Sequence, residues 1–123
     1  MSHLTKIKTT IRDENTLQIA LSDLGLKWNK IVDILSVKNK ASYVIKQDNN
    51  VDLLFSWNGQ DYELVTDLQF WQQSSPVEVF LNKLNQRYAY NCILDKAKNL
   101  GFESIKEIKN NQGSITLTLR RWT

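Results

Sequence analysis

Trp57–Trp71 reads WNGQDYELVTDLQFW, and how this stretch is taken decides the fold. Asn58-Gly59 is a strong short-range hairpin signal, because both residue types tolerate the positive φ of a type I′ turn. A two-residue turn there sets Trp57 opposite Gln60, Phe55 opposite Tyr62 and Leu53 opposite Leu64. Side chains alternate along a strand, so Leu53, Phe55, Tyr62, Leu64 and Leu68 share one face, which reads as core. Facing aromatics such as Phe55 and Tyr62 contribute roughly 0.2–1 kcal/mol. The other face carries Ser56, Asp61, Glu63 and Asp67.

Upstream, Tyr43–Gln47 reads as a strand that meets Val51–Trp57 through Asp48-Asn49-Asn50. This is turn chemistry, with Asn50 expected in the left-handed region. The register pairs Tyr43 with Phe55 and Ile45 with Leu53, and it sets Lys46 opposite Asp52. A further strand covers Gln60–Leu68. Leu4–Ile11 alternates with Thr5, Ile7, Thr9 and Ile11 on one side, as a strand does. Leu26–Leu35 begins another, less clearly patterned strand, and Ser36–Ala41 reads as a loop.

Two stretches have helical spacing. Asp13 is placed to cap the first, where Leu17, Ala20, Leu21 and Leu24 share a face and Gly25 sits at the C-terminal cap position. Ser75-Pro76-Val77-Glu78 predicts the second, with Ser75 as cap, Pro76 in the first turn and Glu78 closing a capping box. Its apolar stripe is Val77, Phe80, Leu81, Leu84, Tyr88 and Cys92, and Gly101 ends it after about Leu100. Phe102–Ile108 and Ser114–Trp122 read as a last hairpin around Asn110–Gly113, with Ile115, Leu117 and Leu119 inward. The helices end alike, in LSDLGLKW and AKNLGFES. Either a duplicated strand–helix–strand unit or generic helix-end chemistry gives that likeness.

The expected architecture is α+β: one domain over 1–123, with an antiparallel sheet of about five to seven strands and two helices on one face. The element order is β-α-β-β-β-β-α-β-β, ferredoxin-like in character. A chain of 123 residues is long enough for a real core. No apolar run approaches the ~20 residues of a membrane span. The opening MSHLTKIKTTIRDEN has no apolar core of a secretory signal, so the protein is expected to work where it is made.

Charge is segregated along the chain. Residues 1–46 hold eight basic and four acidic residues, 47–78 hold no basic and six acidic, and 79–123 hold eight basic and three acidic, for the net +3. A modest net charge does not call for nucleic acid, but segregated charge steers charged partners. Lys outnumbers Arg twelve to four and Asn reaches twelve, a bias that AT-rich codons produce.

The carboxylates Asp61, Glu63 and Asp67 are weighed first as a metal or acid–base set, but no His lies near them and divalent sites draw ligands from loops or several elements. The commoner role is a solvated strand face. The functional alternative is protein docking by Trp57, Asp61, Glu63, Asp67 and Trp71, with the tryptophans as anchors. A second group, Lys6, Lys8, Arg87, Tyr90, Arg120 and Trp122, has the chemistry to touch RNA or an acidic partner. For Arg87 the structural alternative is a pair with an acid such as Asp61 or Asp67. Arg120-Arg121 equally suits a solvated strand edge. Cys92, the single cysteine, excludes an intrachain disulfide and reads as a small core residue. His3 reads as a surface or edge residue. No glycine-rich phosphate loop, paired-Cys zinc spacing or serine nucleophile elbow is present, so no catalytic residue, metal, cofactor or small-molecule substrate is assigned.

MSHLTKIKT, IRD, VIKQ, WNGQDYELVTDLQFWQQ, FLNKLNQRYAY and GSITLTLRRW together resemble the family of hypothetical plastid open reading frame 35 proteins of algal plastids and cyanobacteria. The resemblance spans essentially the whole chain and is weakest at Lys27–Ala41 and Asp95–Asn111. It implies a plastid stroma or a cyanobacterial cytoplasm, and supplies no catalytic residues. The expected function is a non-enzymatic accessory protein with an unidentified protein partner. RNA binding on the sheet face and a small enzyme using the strand carboxylates are the alternatives.

Overall fold

Asn50 takes φ +64° and turns the chain tightly between two strands, with Tyr43 opposite Phe55 and Ile45 opposite Leu53, as the alternation predicts. From this pair the sheet extends both ways. In this computed structural model, residues 4–32, 40–109 and 115–121 are described, with backbone alone for 102–109, 115–117 and 119. The strands are β1 (Thr5–Lys8), β2 (Asn29–Ile31), β3 (Ser42–Ile45), β4 (Leu53–Trp57) and β5 (Tyr62–Thr66), and the helices are α1 (Glu14–Asp23) and α2 (Val77–Asn99). β2 to β5 form an antiparallel meander, and β1 closes against β5, giving the order β1-β5-β4-β3-β2. β1 and β2 therefore run parallel at opposite edges, and α1 spans the strands between them.

Both helices cover one face of the sheet. Leu17, Ala20 and Leu21 of α1 and Phe80, Leu81 and Leu84 of α2 meet Tyr43, Ile45, Leu53, Phe55, Tyr62 and Leu64 in one buried cluster. The α+β class and the element order match the sequence pattern. The open face shows a row Lys6, Val65, Leu54, Val44 and Asn29 across the strands.

The β4–β5 register differs from the expected one by two residues: Trp57 pairs with Tyr62, and Phe55 with Leu64. The turn takes four residues, because the Asn58 side chain replaces the backbone in building it. Asn58 Oδ1 accepts from the Gln60 and Asp61 amides, both at 2.9 Å, and the Asn58 amide donates to the Asp61 carbonyl at 3.0 Å. Only Gly59 in this turn has positive φ. A shift of two preserves the faces, so Phe55, Tyr62 and Leu64 remain inward.

β5 stops at Thr66 rather than Leu68, and a 3₁₀ turn over Leu68–Phe70 follows. β1 is shorter than Leu4–Ile11, yet Thr9 and Ile11 stay buried and both bond Tyr62: Thr9 N to Tyr62 O at 3.2 Å and Tyr62 N to Ile11 O at 2.8 Å. The strand expected over Leu26–Leu35 narrows to an exposed edge, β2; residues 33–39 lie outside the described residues.

Gly25, at φ +76°, ends α1 as expected. The Leu26 amide bonds Leu21 O at 3.1 Å and the Gly25 amide bonds Ser22 O at 2.9 Å, a Schellman arrangement that satisfies two carbonyls of the last turn. The capping box at α2 does not form. Pro76 is the cap residue and no side chain bonds the first turn; the Ser75 carbonyl is held instead by the Trp71 indole N–H at 2.7 Å. After α2, β6 (Phe102–Lys109) and β7 (Ile115–Arg121) pair in a separate two-stranded sheet, the expected last hairpin. Its turn, 110–114, is outside the described residues, as are the side chains of Ile115, Leu117 and Leu119.

A polar network fixes the start of α1. Tyr43 OH donates to Glu14 Oε1 at 2.6 Å and accepts from Gln18 Nε2 at 2.6 Å. Tyr88 OH on α2 accepts from the Arg12 and Asp13 amides at 3.2 and 3.0 Å. Burial, with the Glu14 bond adding to it, pushes the Tyr43 phenol up to about 12. Burial beside Glu14 raises Tyr62 further in the same direction.

Candidate functional site

Trp57 and Trp71 stand at opposite ends of the β4–β5 hairpin, and both turn inward. Trp57 packs edge-on against Tyr62 with ring centroids 5.3 Å apart, and Lys40 Nζ lies 4.1 Å over its ring. Trp71 packs edge-on against Phe80 at 5.2 Å. Both are partly buried against the core.

The three strand carboxylates also separate. Asp61 and Glu63 flank the turn, where Asn58 Nδ2 donates to both, at 3.0 and 2.7 Å. Asp67 belongs to the far end of β5 and is not on a solvated face: it is 4% exposed, and its Oδ1 accepts from the Gln69 amide at 3.1 Å. That bond turns the chain out of the strand. It also explains why Leu68, expected in the core, lies at the surface.

The Leu68–Phe70 turn is held from several sides. The Phe70 carbonyl accepts from Asn49 Nδ2 at 2.8 Å and from Gln47 Nε2 at 3.2 Å. Gln47, itself buried, also donates to Val51 O at 2.6 Å, and its Oε1 accepts from the Gln72 amide at 2.8 Å and Gln73 Nε2 at 3.0 Å. The Asn49 amide in turn donates to Gln72 Oε1 at 3.1 Å. On this fixed backbone Leu68 is 36% and Phe70 46% exposed. Asp48 and Asp52, both exposed, flank the loop that bonds the turn, and Lys46 is the nearest cation in sequence. Sequence reasoning put Leu68 inside and passed over Phe70. The legible signal was Asp67 two residues before Gln69, the spacing of an Asx turn.

Across the 71–76 loop lies a cleft of about 340 Å³ between the end of α1 and the first half of α2. Leu24, Leu26 and Phe80 form its floor; Asp23, Gln73, Lys83, Gln86 and Arg87 stand on its rim. Arg87 does pair with a carboxylate, but with Asp23 at 2.8 Å rather than Asp61 or Asp67. Asn91 Nδ2 bonds the same Asp23 oxygen at 2.9 Å, and the Arg87 guanidinium lies 4.3 Å over the Tyr90 ring. Arg87 therefore ties α2 to α1, and Tyr90 lies beneath its guanidinium on α2.

Lys6 and Lys8 are exposed on the open face of β1, and Arg120 and Arg121 are exposed on β7. Trp122 and His3 are outside the described residues. Phe55, Tyr43, Tyr62 and Trp57 all lie on the helix side of the sheet, so the open face of the five strands offers no ring on which a base could stack. Cys92 is a free thiol, half-buried rather than fully in the core. Among the described residues no three His, Cys, Asp or Glu side chains gather as a metal site, and no helix is long and apolar enough to cross a membrane.

Residues 20–118 match the family model described as a protein of unknown function, DUF1257. The chain is 49% identical to the uncharacterized protein ycf35 of Guillardia theta and 47% identical to that of Pyropia yezoensis, in each case over 99% of this chain and 98% of the relative. It is 41% identical to ycf35 of Cyanophora paradoxa over the same shares. These relatives are encoded in algal plastids. No solved structure gives a significant match.

Proposed function

The chain belongs to the DUF1257 family of proteins of unknown function, and from that premise we propose that it is a non-enzymatic accessory protein that docks another protein through Leu68–Phe70. The observation that carries this reading is the exposed Phe70 ring on a backbone already fixed by Gln47, Asn49 and Asp67. An apolar anchor held in place before binding loses little conformational entropy when it docks. Asp48 and Asp52 beside it, in a segment with six acids and no bases, favour a partner with a basic surface. The plastid stroma is the setting we attach to this reading, supported by the plastid-encoded relatives.

The test is affinity capture after crosslinking in the living alga, read by mass spectrometry. A stoichiometric partner with the native chain and with Lys96→Glu, lost with Phe70→Asp, is the expected result. Capture that is indifferent to Phe70→Asp would overturn the site, and no stoichiometric partner at all would overturn the function.

Exposed Lys6, Lys8 and Arg120 support RNA contact as a second reading, which lacks a stacking platform. Salt-sensitive binding of single-stranded RNA, lost in Arg120→Ala, would favour it over protein docking.

A further inference from the structure

We infer that the cleft between α1 and α2 binds a small organic carboxylate with an apolar body, at a site separate from the docking turn. The floor supplies the apolar contact: Leu24, Leu26 and Phe80 present side chains packed against the core. A volume of about 340 Å³ lies at the small end of ligand sites, fitting a molecule the size of a phenyl- or branched-chain acid.

The rim decides the sign of the charge. Asp23 and Arg87 neutralise each other at 2.8 Å, and Asn91 takes a further bond to Asp23. Lys83 lies four residues before Arg87 on the same face of α2, is exposed, and has no carboxylate within ion-pair distance among the described residues. The lining thus carries one net positive charge. The Gln86 amide and the hydroxyls of Ser74 and Ser75 also line the cleft and make no hydrogen bond among the described residues. An ammonium, an amide and two hydroxyls above an apolar floor form a donor-rich rim, suited to the two oxygens of a carboxylate. A cation in the same place would meet Lys83 with no uncompensated acid in return.

The loop forming one wall is built to hold its shape. Gln73 Nε2 is bonded to Gln47 Oε1 at 3.0 Å, and the Trp71 indole N–H bonds Ser75 O at 2.7 Å. The indole N–H is therefore a reporter inside the wall, and its resonance should respond when the cleft fills.

The experiment is an NMR titration of the full chain, labelled with nitrogen-15, with three probes of one shape: phenylacetate, phenylacetamide and 2-phenylethylammonium. Phenylacetate is expected to shift Lys83, Gln86 and the Trp71 indole N–H saturably, with a Kd at least about tenfold below that of the ammonium. Lys83→Gln should weaken phenylacetate about fivefold or more and leave phenylacetamide unchanged, whereas Lys96→Gln should change neither. Absence of saturable shifts at these residues up to roughly 20 mM would overturn the site. Equal affinity for the three probes, or a Lys83→Gln protein that binds phenylacetate as the native one does, would overturn the assigned charge.

Discussion

The Tyr43 hydroxyl donates to the Glu14 carboxylate at 2.6 Å, and that bond fastens the first turn of α1 to β3 of the sheet. Gln18 donates to the same hydroxyl at 2.6 Å, so one oxygen serves two helix residues. Tyr43→Phe keeps the ring and removes this junction. It is expected to lower stability by about 1–3 kcal/mol, since two partly buried polar groups lose their partner. Urea unfolding with an unchanged slope is the measurement.

The same residue sets an alkaline limit. The Tyr43 phenol is raised from 10 to about 12 in the folded chain, and Tyr62 is raised as well. Folding therefore favours the neutral phenols. Their contribution is whole below pH 10, and declines as pH rises through the folded values, because the unfolded chain gives up protons that the native one keeps. Stability should fall between pH 10 and 12, less steeply in Tyr43→Phe. Absorbance of phenolate against pH should show three tyrosines, Tyr43, Tyr62 and Tyr88, titrating late, each raised first by burial.

Gln47→Met is expected to cost about 3 kcal/mol. The Gln47 side chain makes four hydrogen bonds, and methionine fills similar space while leaving the Gln72 amide and the Phe70 and Val51 carbonyls short of partners. Hydrogen exchange at Gln72 should accelerate ahead of global unfolding. Partner capture through Phe70 should weaken along with it.

Asp23→Asn should change stability by less than about 1 kcal/mol at physiological salt, despite the 2.8 Å contact with Arg87. Both side chains are about a quarter exposed, so solvent and ions screen the pair. A thermal shift above a few degrees would show that the pair matters more than its exposure allows.

Asn50 separates two explanations of the β3–β4 turn. Its φ of +64° suits glycine and opposes a β-branched residue. Asn50→Gly should be nearly neutral and Asn50→Val should cost about 1–2 kcal/mol. Equal effects would mean that the side chain, not the backbone, sets the turn.

Where sequence and structure agree, local chemistry decided the outcome. Asp48-Asn49-Asn50 between alternating strands gave both the turn and the Tyr43–Phe55 register. Where they part, a side chain took over a backbone role. Asn58 lengthened its turn and shifted β4–β5 by two, and Asp67 ended β5 and carried Leu68 outward. Ser75 looked like a cap, but its carbonyl was drawn to Trp71 and the helix began at Val77. Gln47 gave no signal at all, because only its long-range partners mark it as buried. Lys83, Gln86 and Arg87 are legible as one helix face by spacing; that they meet the end of α1 is not.

The position of β1 has a consequence for how the molecule is made. Thr5 pairs with Thr66, so β1 leaves the ribosome well ahead of its partner and has no place in the sheet until β5 has followed it. The Asn50 turn, by contrast, joins neighbours and can close as soon as β4 is out. During synthesis β1 waits unpaired with Ile7, which the folded core covers, still exposed, and that wait is the interval in which the nascent chain is most open to wrong pairing.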